Sequence, residues 1–124
     1  MKIILSPSKT QSDIEVYKDL EHPRYYSFSK QIIKEIKNYK KDDLSKIMHI
    51  TDKLLEETFS LYKRYKVNKN ELIPAIRLYK GVVYDCFNLN DFSENEINYL
   101  NEHVRIISAL YGVLKPYDGI QPYR

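Results

Sequence analysis

Two runs of this sequence read clearly as buried strands: "KIIL" at Lys2–Leu5 and "VRIISAL" at Val104–Leu110. Consecutive β-branched and aliphatic residues suit strands covered on both faces, as in parallel sheets. Much of what lies between them has helical periodicity. The chain is therefore expected to form a mixed α/β fold, with a small, incomplete sheet of about three strands and several helices. Residues 1–124 are read as a single unit, because nothing resembles an internal repeat or a linker.

The intervening elements follow from local patterns. Residues 6–24 contain Pro7 and Pro23 with little periodicity and read as a long surface loop. Phe28, Ile32, Ile33 and Ile36 mark the apolar face of a helix over residues 26–39. Asp42 is placed to cap a short helix carrying Leu44, Ile47 and Met48, and Thr51 to cap a third helix over 52–66. The basic run Lys63, Arg64 and Lys66 then reads as a solvated helix end. Ala75–Tyr79 reads as a strand with Gly81 allowing a sharp exit, and "VVYDCF" as a short helix. Ser93 and Glu96 have the form of a capping box opening a helix over 94–103. The tail after Leu110, with two Pro and two Gly, shows no helix pattern and reads as a long aromatic and basic loop.

Composition excludes some classes. No run approaches the ~20 apolar residues of a membrane span, and the apolar start is too short for a secretory signal. The single Cys86 cannot close an internal disulfide; it fits a reducing, cytoplasmic setting and reads as a small packed hydrophobe. His22, His49 and His103 are scattered, so no metal or other cofactor is expected. A net charge of +3 permits an anionic partner without requiring one. The chain has 12 Tyr and no Trp, and most of the tyrosines fall at core-like helical spacing.

The chemistry-bearing residues gather after the strands. Ser6, Ser8, Lys9 and Thr10 follow the first, Lys80 and Gly81 the second, and Tyr111, Gly112, Lys115, Tyr123 and Arg124 the third. If the strands are parallel, these groups meet on one rim, where open α/β sheets bind ligands. Ammonium and guanidinium groups with hydroxyls and tight glycine turns suit an anion, most simply phosphate. Separately, "LSKIMHITDKLL" has the outline of a degenerate helix-hairpin-helix, with His49 and Thr51 where such hairpins carry glycine. A hairpin of this kind holds a DNA phosphate by backbone N–H groups.

At Ser6–Thr10 ("SPSKT"), Leu78–Tyr84 ("LYKGVVY") and above all Arg105–Arg124 ("RIISALYGVLKPYDGIQPYR"), the chain resembles the YaaA family of peroxide-stress proteins. The resemblance spans the chain but only the N-terminal half of the family pattern, which continues into a Leu-Glu-Met-Gly segment not found here. It implies a cytoplasmic protein with a basic cleft that binds double-stranded DNA and limits iron-dependent DNA damage. Carried over by position, its site residues are Ser6, Lys9, Thr10, Lys80, Gly81, Tyr111, Gly112, Lys115, Tyr123 and Arg124. No enzymatic reaction comes with it. The alternative is an enzyme acting on a phosphate-bearing small molecule or nucleobase, with Ser6, Lys9 and Lys80 at the sheet rim. In either case the missing C-terminal half, or self-association, is expected to cover the sheet edge.

Overall fold

The computed structural model describes residues 1–12 and 15–124; residues 13 and 14, within the expected loop 6–24, lie outside the described residues. The elements run β1 (Ile3–Leu5), α1 (Tyr26–Asn38), α2 (Lys41–Met48), α3 (Asp52–Arg64), β2 (Ile73–Pro74), α4 (Ala75–Leu78), α5 (Val82–Asp85), α6 (Glu94–His103), β3 (Val104–Ser108), β4 (Gly112–Leu114) and β5 (Gly119–Ile120). The fold is mixed α/β, as expected. Its main sheet has the order β1-β3-β4, and β2 pairs with β5 in a separate ribbon.

The helices form largely where the periodicity places them, although the buried face of α1 is rotated. Tyr26, Ser29 and Ile33 are buried, whereas Phe28 and Ile32 are exposed. The stripe continues to Ile36, which packs against the core. These four sit at helical spacings of three and four and so share a face; Phe28 and Ile32 lie off it. Ser29 fixes the choice by donating to the carbonyl of Leu110 at 2.9 Å, next to β3. The cap of α2 comes from Asp43, not Asp42: its carboxylate accepts the Lys40 N–H at 3.3 Å. Thr51 holds the position before α3, but its hydroxyl makes no capping bond. Ser93 does cap α6, accepting the Glu96 N–H at 3.2 Å.

Two stretches differ in kind from expectation. Ala75–Tyr79 is not a strand: a two-residue β2 leads into the single turn of α4. Ala75, Ile76, Leu78 and Tyr79 are all buried, so the run lacks the alternation that would distinguish a strand. The tail is not all loop. β4 folds back antiparallel on β3, with Ile107 opposite Val113 and Ser108 opposite Gly112. Gly112 enters β4 at φ +74, a backbone state that suits glycine.

β1 and β3 run parallel, with Ile3 beside Val104 and Leu5 beside Ile106. The inner face of the sheet is dry: Val104, Ile106, Ser108 and Leu114 are buried. Full burial of an Ile such as Ile106 or Ile33 contributes about 1.5–3 kcal/mol each. The opposite face is bare, with Ile4 68% exposed, Ile107 43% and Val113 39%. β1 is therefore not the doubly covered strand its aliphatic run suggests. It is an edge strand, and no described element lies over its outer face. Cys86, expected to be packed, is exposed. No helix among the described residues is long and apolar enough to cross a membrane.

Candidate functional site

Because β1 and β3 are parallel, their carboxyl ends open on the same rim. The loop after β1 is pinned there by backbone bonds. Ser8 Oγ accepts the Thr10 N–H at 3.1 Å, and the Thr10 carbonyl accepts the Lys80 N–H at 2.9 Å. Gln11 then pairs antiparallel with Tyr79. On the other side, the Tyr84 hydroxyl donates to the Ser6 carbonyl at 2.5 Å. Gly81 sits at φ +132, which a side chain would strain, and a Cβ there would come 3.6 Å from Ser8 Oγ. The loop after β1 and the link between α4 and α5 are thus laced together.

The end of the chain reaches the same place. Gln11 Oε1 accepts the Tyr123 N–H at 3.0 Å. The Tyr123 hydroxyl meets those of Tyr79 at 2.6 Å and Ser108 at 2.8 Å. The Tyr62 hydroxyl, from α3, accepts the Arg124 N–H at 3.1 Å and donates to the Arg124 carbonyl. Burial favours the neutral form of four phenols in this region: the hydroxyls of Tyr62, Tyr65, Tyr79 and Tyr111 are all pushed up, chiefly by desolvation. Tyr84 is pushed up to about 12, also chiefly by burial.

Two adjoining depressions result. One, of about 610 Å³, lies between the loop after β1, the turn joining α2 to α3, and the end of the chain; Ser8, Lys9, His49, Ile50, Tyr123 and Arg124 line it. The other, of about 560 Å³, lies between β1 and α5 and is lined by Ser6, Lys9, Lys80 and Gly81 among others. Ser8 and Lys9 belong to both. Among the described residues no carboxylate forms an ion pair with Lys9, Lys80 or Arg124. Asp85 comes near, accepting the Gly81 N–H at 3.4 Å. The arrangement presents three cations on one rim, around hydroxyls and backbone donors, which is chemistry for holding anionic oxygen.

Not every residue expected on this rim is there. Lys115 follows β4, which runs antiparallel to β3, so it emerges at the opposite end of the sheet. Its own N–H is bonded to Asp118 at 2.8 Å, and nearby Tyr117 N–H is bonded to Asn101 of α6 at 3.0 Å. The expectation of one shared rim fails for Lys115 because it assumed parallel strands throughout. Tyr111 is fully buried, with its hydroxyl 2.5 Å from that of Tyr65. It buttresses Tyr123 edge-on, with ring centroids 5.1 Å apart. A Cβ at Gly112 would come 3.2 Å from the Tyr25 ring.

Gln11, which accepts the Tyr123 N–H, carries no sequence signal for a place at the site, and the His49–Thr51 turn joins the strand-end loops only in three dimensions. In the structure His49 ends α2 in the left-handed conformation at φ 54, ψ 46. Nothing in sequence spacing tells which sheet rim that turn will face. Among the described residues no group of three or more His, Cys, Asp or Glu side chains is placed to hold a metal ion.

Comparison with known proteins bears on this geometry. Residues 1–124 match the model of the family described as peroxide stress protein YaaA. A UPF0246 protein of Agathobacter rectalis is 36% identical over 125 residues. UPF0246 proteins of Finegoldia magna and Clostridioides difficile are 33% and 36% identical. Each alignment covers 100% of this chain and 50% of the relative, so the chain spans about half the length of the curated relatives it matches. The chain belongs to the peroxide stress protein YaaA family.

Proposed function

We propose that this chain supplies one wall of a cleft that binds the phosphates of double-stranded DNA, as part of a cytoplasmic peroxide-stress protein that limits iron-dependent DNA damage. The observation that carries the reading is the meeting of Lys9, Arg124 and the α2–α3 turn around one groove of about 610 Å³. In it a helix-hairpin-helix outline and a cationic strand-end loop, which the sequence presents far apart, share a surface.

Each part has a role. Lys9 and Arg124 neutralise phosphate charge, and Lys80 extends the cationic rim across the neighbouring depression. The α2–α3 turn acts as a degenerate hairpin, offering backbone N–H groups at the start of α3. Tyr123 sets the wall between them, because its hydroxyl is held by Tyr79 and Ser108.

The test is fluorescence anisotropy of a labelled DNA duplex with Lys9→Gln and Lys115→Gln compared in the full chain. Loss of one charge-assisted phosphate contact, about 1.5–3 kcal/mol, weakens binding tenfold or more. Lys9→Gln is expected to lose that much, and Lys115→Gln, on the opposite rim, is expected to bind almost as the parent does. Equal loss in both would contradict a localised cleft. Unchanged DNA binding in Lys9→Gln would favour a small-molecule phosphate as the groove's ligand.

A further inference from the structure

The main sheet is covered on one side and open on the other. Register places Ile4, Arg105, Ile107 and Val113 together on the outer face. Ile4, Ile107 and Val113 are exposed there. The Arg105 guanidinium is turned back onto the carbonyls of Asn101 and Val104, at 2.8 and 2.7 Å, and so does not screen the patch. The open surface continues past the edge. β1 is the last strand of the sheet on its side, and beyond it α5 presents Val82, 86% exposed, and Val83, 53% exposed. Between β1 and α5 runs the depression of about 560 Å³.

An edge of this kind is unusual for a finished surface. Exposed edges are commonly blunted by charge, proline or a bulge, because their unpaired N–H and C=O groups template further pairing. β1 has none of these within Ile3–Leu5. Meanwhile the curated relatives carry, beyond the part that aligns with this chain, a further length equal to it.

We propose that the β1 edge and the Ile4–Ile107–Val113 face seat a polypeptide corresponding to the other half of those relatives. One of its strands lies along β1, over the gap to Val82 and Val83, and an apolar layer covers the outer face. The seat adjoins Ser6, Lys9 and Lys80, so the same segment would form the far wall of the second depression and leave its cationic rim open. This surface is independent of the DNA reading, and its test contains no DNA.

The experiment uses thiol labelling in a Cys86→Ser background, with single cysteines at Ile4, Ile107 and the exposed control Lys34. Two proteins are compared: this chain, and a fusion in which the remaining half of the Agathobacter rectalis relative follows Arg124. Circular dichroism checks that each is folded. Ile4→Cys and Ile107→Cys are expected to label at least ~10-fold more slowly in the fusion, since opening a buried site costs well over 1.4 kcal/mol, while Lys34→Cys is unchanged. The aligned positions in the natural full-length relative give the same reading without depending on the fusion's folding, and slow labelling is expected there too. Equal rates at Ile4 and Ile107 in both formats would overturn the proposal. So would labelling of this chain alone that slows as its concentration rises, which would assign the face to a second copy.

Discussion

The hydroxyls of Tyr79 and Tyr123 lie 2.6 Å apart, joining the residue after α4 to the penultimate residue of the chain. Ser108, at the end of β3, reaches the same Tyr123 hydroxyl at 2.8 Å. One phenol thus ties three segments together beside the groove. Replacing it, Tyr123→Phe, leaves the Tyr79 and Ser108 hydroxyls short of a partner in a dry setting. The expected cost is about 1–3 kcal/mol, read from the midpoint of urea unfolding. A change within error would mean that the three hydroxyls are not coupled.

The buried tyrosines make stability sensitive to alkali. Burial raises the hydroxyls of Tyr65, Tyr79 and Tyr111 above the ordinary value of 10.0, and that of Tyr84 to about 12. Below pH 10 both folded and unfolded chains keep these protons, so their contribution is fully present. Above it the unfolded chain releases protons that the folded chain retains, and stability falls as pH rises. Circular dichroism melts taken from neutral pH upward are expected to hold steady and then drop beyond pH 10. Tyr65→Phe should reduce that slope, and an unaltered slope would contradict the assignment.

Gly119 is a packing requirement. A Cβ at this position would lie 2.7 Å from Leu72 Cδ1, 2.8 Å from Leu72 Cβ and 2.9 Å from Leu20 Cβ. Two of these are stem atoms, which cannot rotate away. Gly119→Ala is therefore expected to destabilise by about 1–3 kcal/mol, as overpacking does. Chemical denaturation of the variant checks this, with Lys115→Ala in the neighbouring turn as a mild control.

His49 stands where helical hairpins favour glycine. At φ 54 its side chain strains the backbone, a penalty of roughly 1 kcal/mol that glycine relieves. His49→Gly is expected to gain a few tenths to about 1 kcal/mol, the net of relieved strain and lost chain stiffness. If the turn approaches phosphate, the smaller residue also tightens DNA binding. Weaker binding by His49→Gly would assign the contact to the imidazole instead of the backbone.

Much of this architecture is legible in the sequence, for a physical reason. The spacing of Ile33 and Ile36, the Ser93–Glu96 cap and the aliphatic run of β3 are local signals, and each formed the expected element. What failed was decided by neighbours. Ile3 and Ile4 have the residue types of a buried strand, but edge position left them exposed. Ala75–Tyr79 is apolar at every buried position, and its neighbours made it a helical turn. The site divided along the same line. Lys9 reaches the rim by leaving β1, Lys80 by its N–H bond to the Thr10 carbonyl, and Arg124 through Tyr62 of α3, whereas Lys115 is carried away by the reversal at Gly112. Residue types announce the chemistry, and strand direction, which sequence does not display, sorts which residues share a rim.

Lys9 and Arg124 are proposed to share a DNA phosphate site, and the salt dependence of duplex binding is the sharpest check on that sharing. Anisotropy titrations of a labelled duplex would be run across a series of salt concentrations for the parent chain and for Lys9→Gln. Phosphate neutralisation gives a linear fall of log affinity with log salt, and removing one contact reduces the slope by about 1. Saturable, steeply salt-dependent binding is expected of the parent, with that reduction in Lys9→Gln. Binding indifferent to salt, or an identical slope in the two proteins, would contradict it.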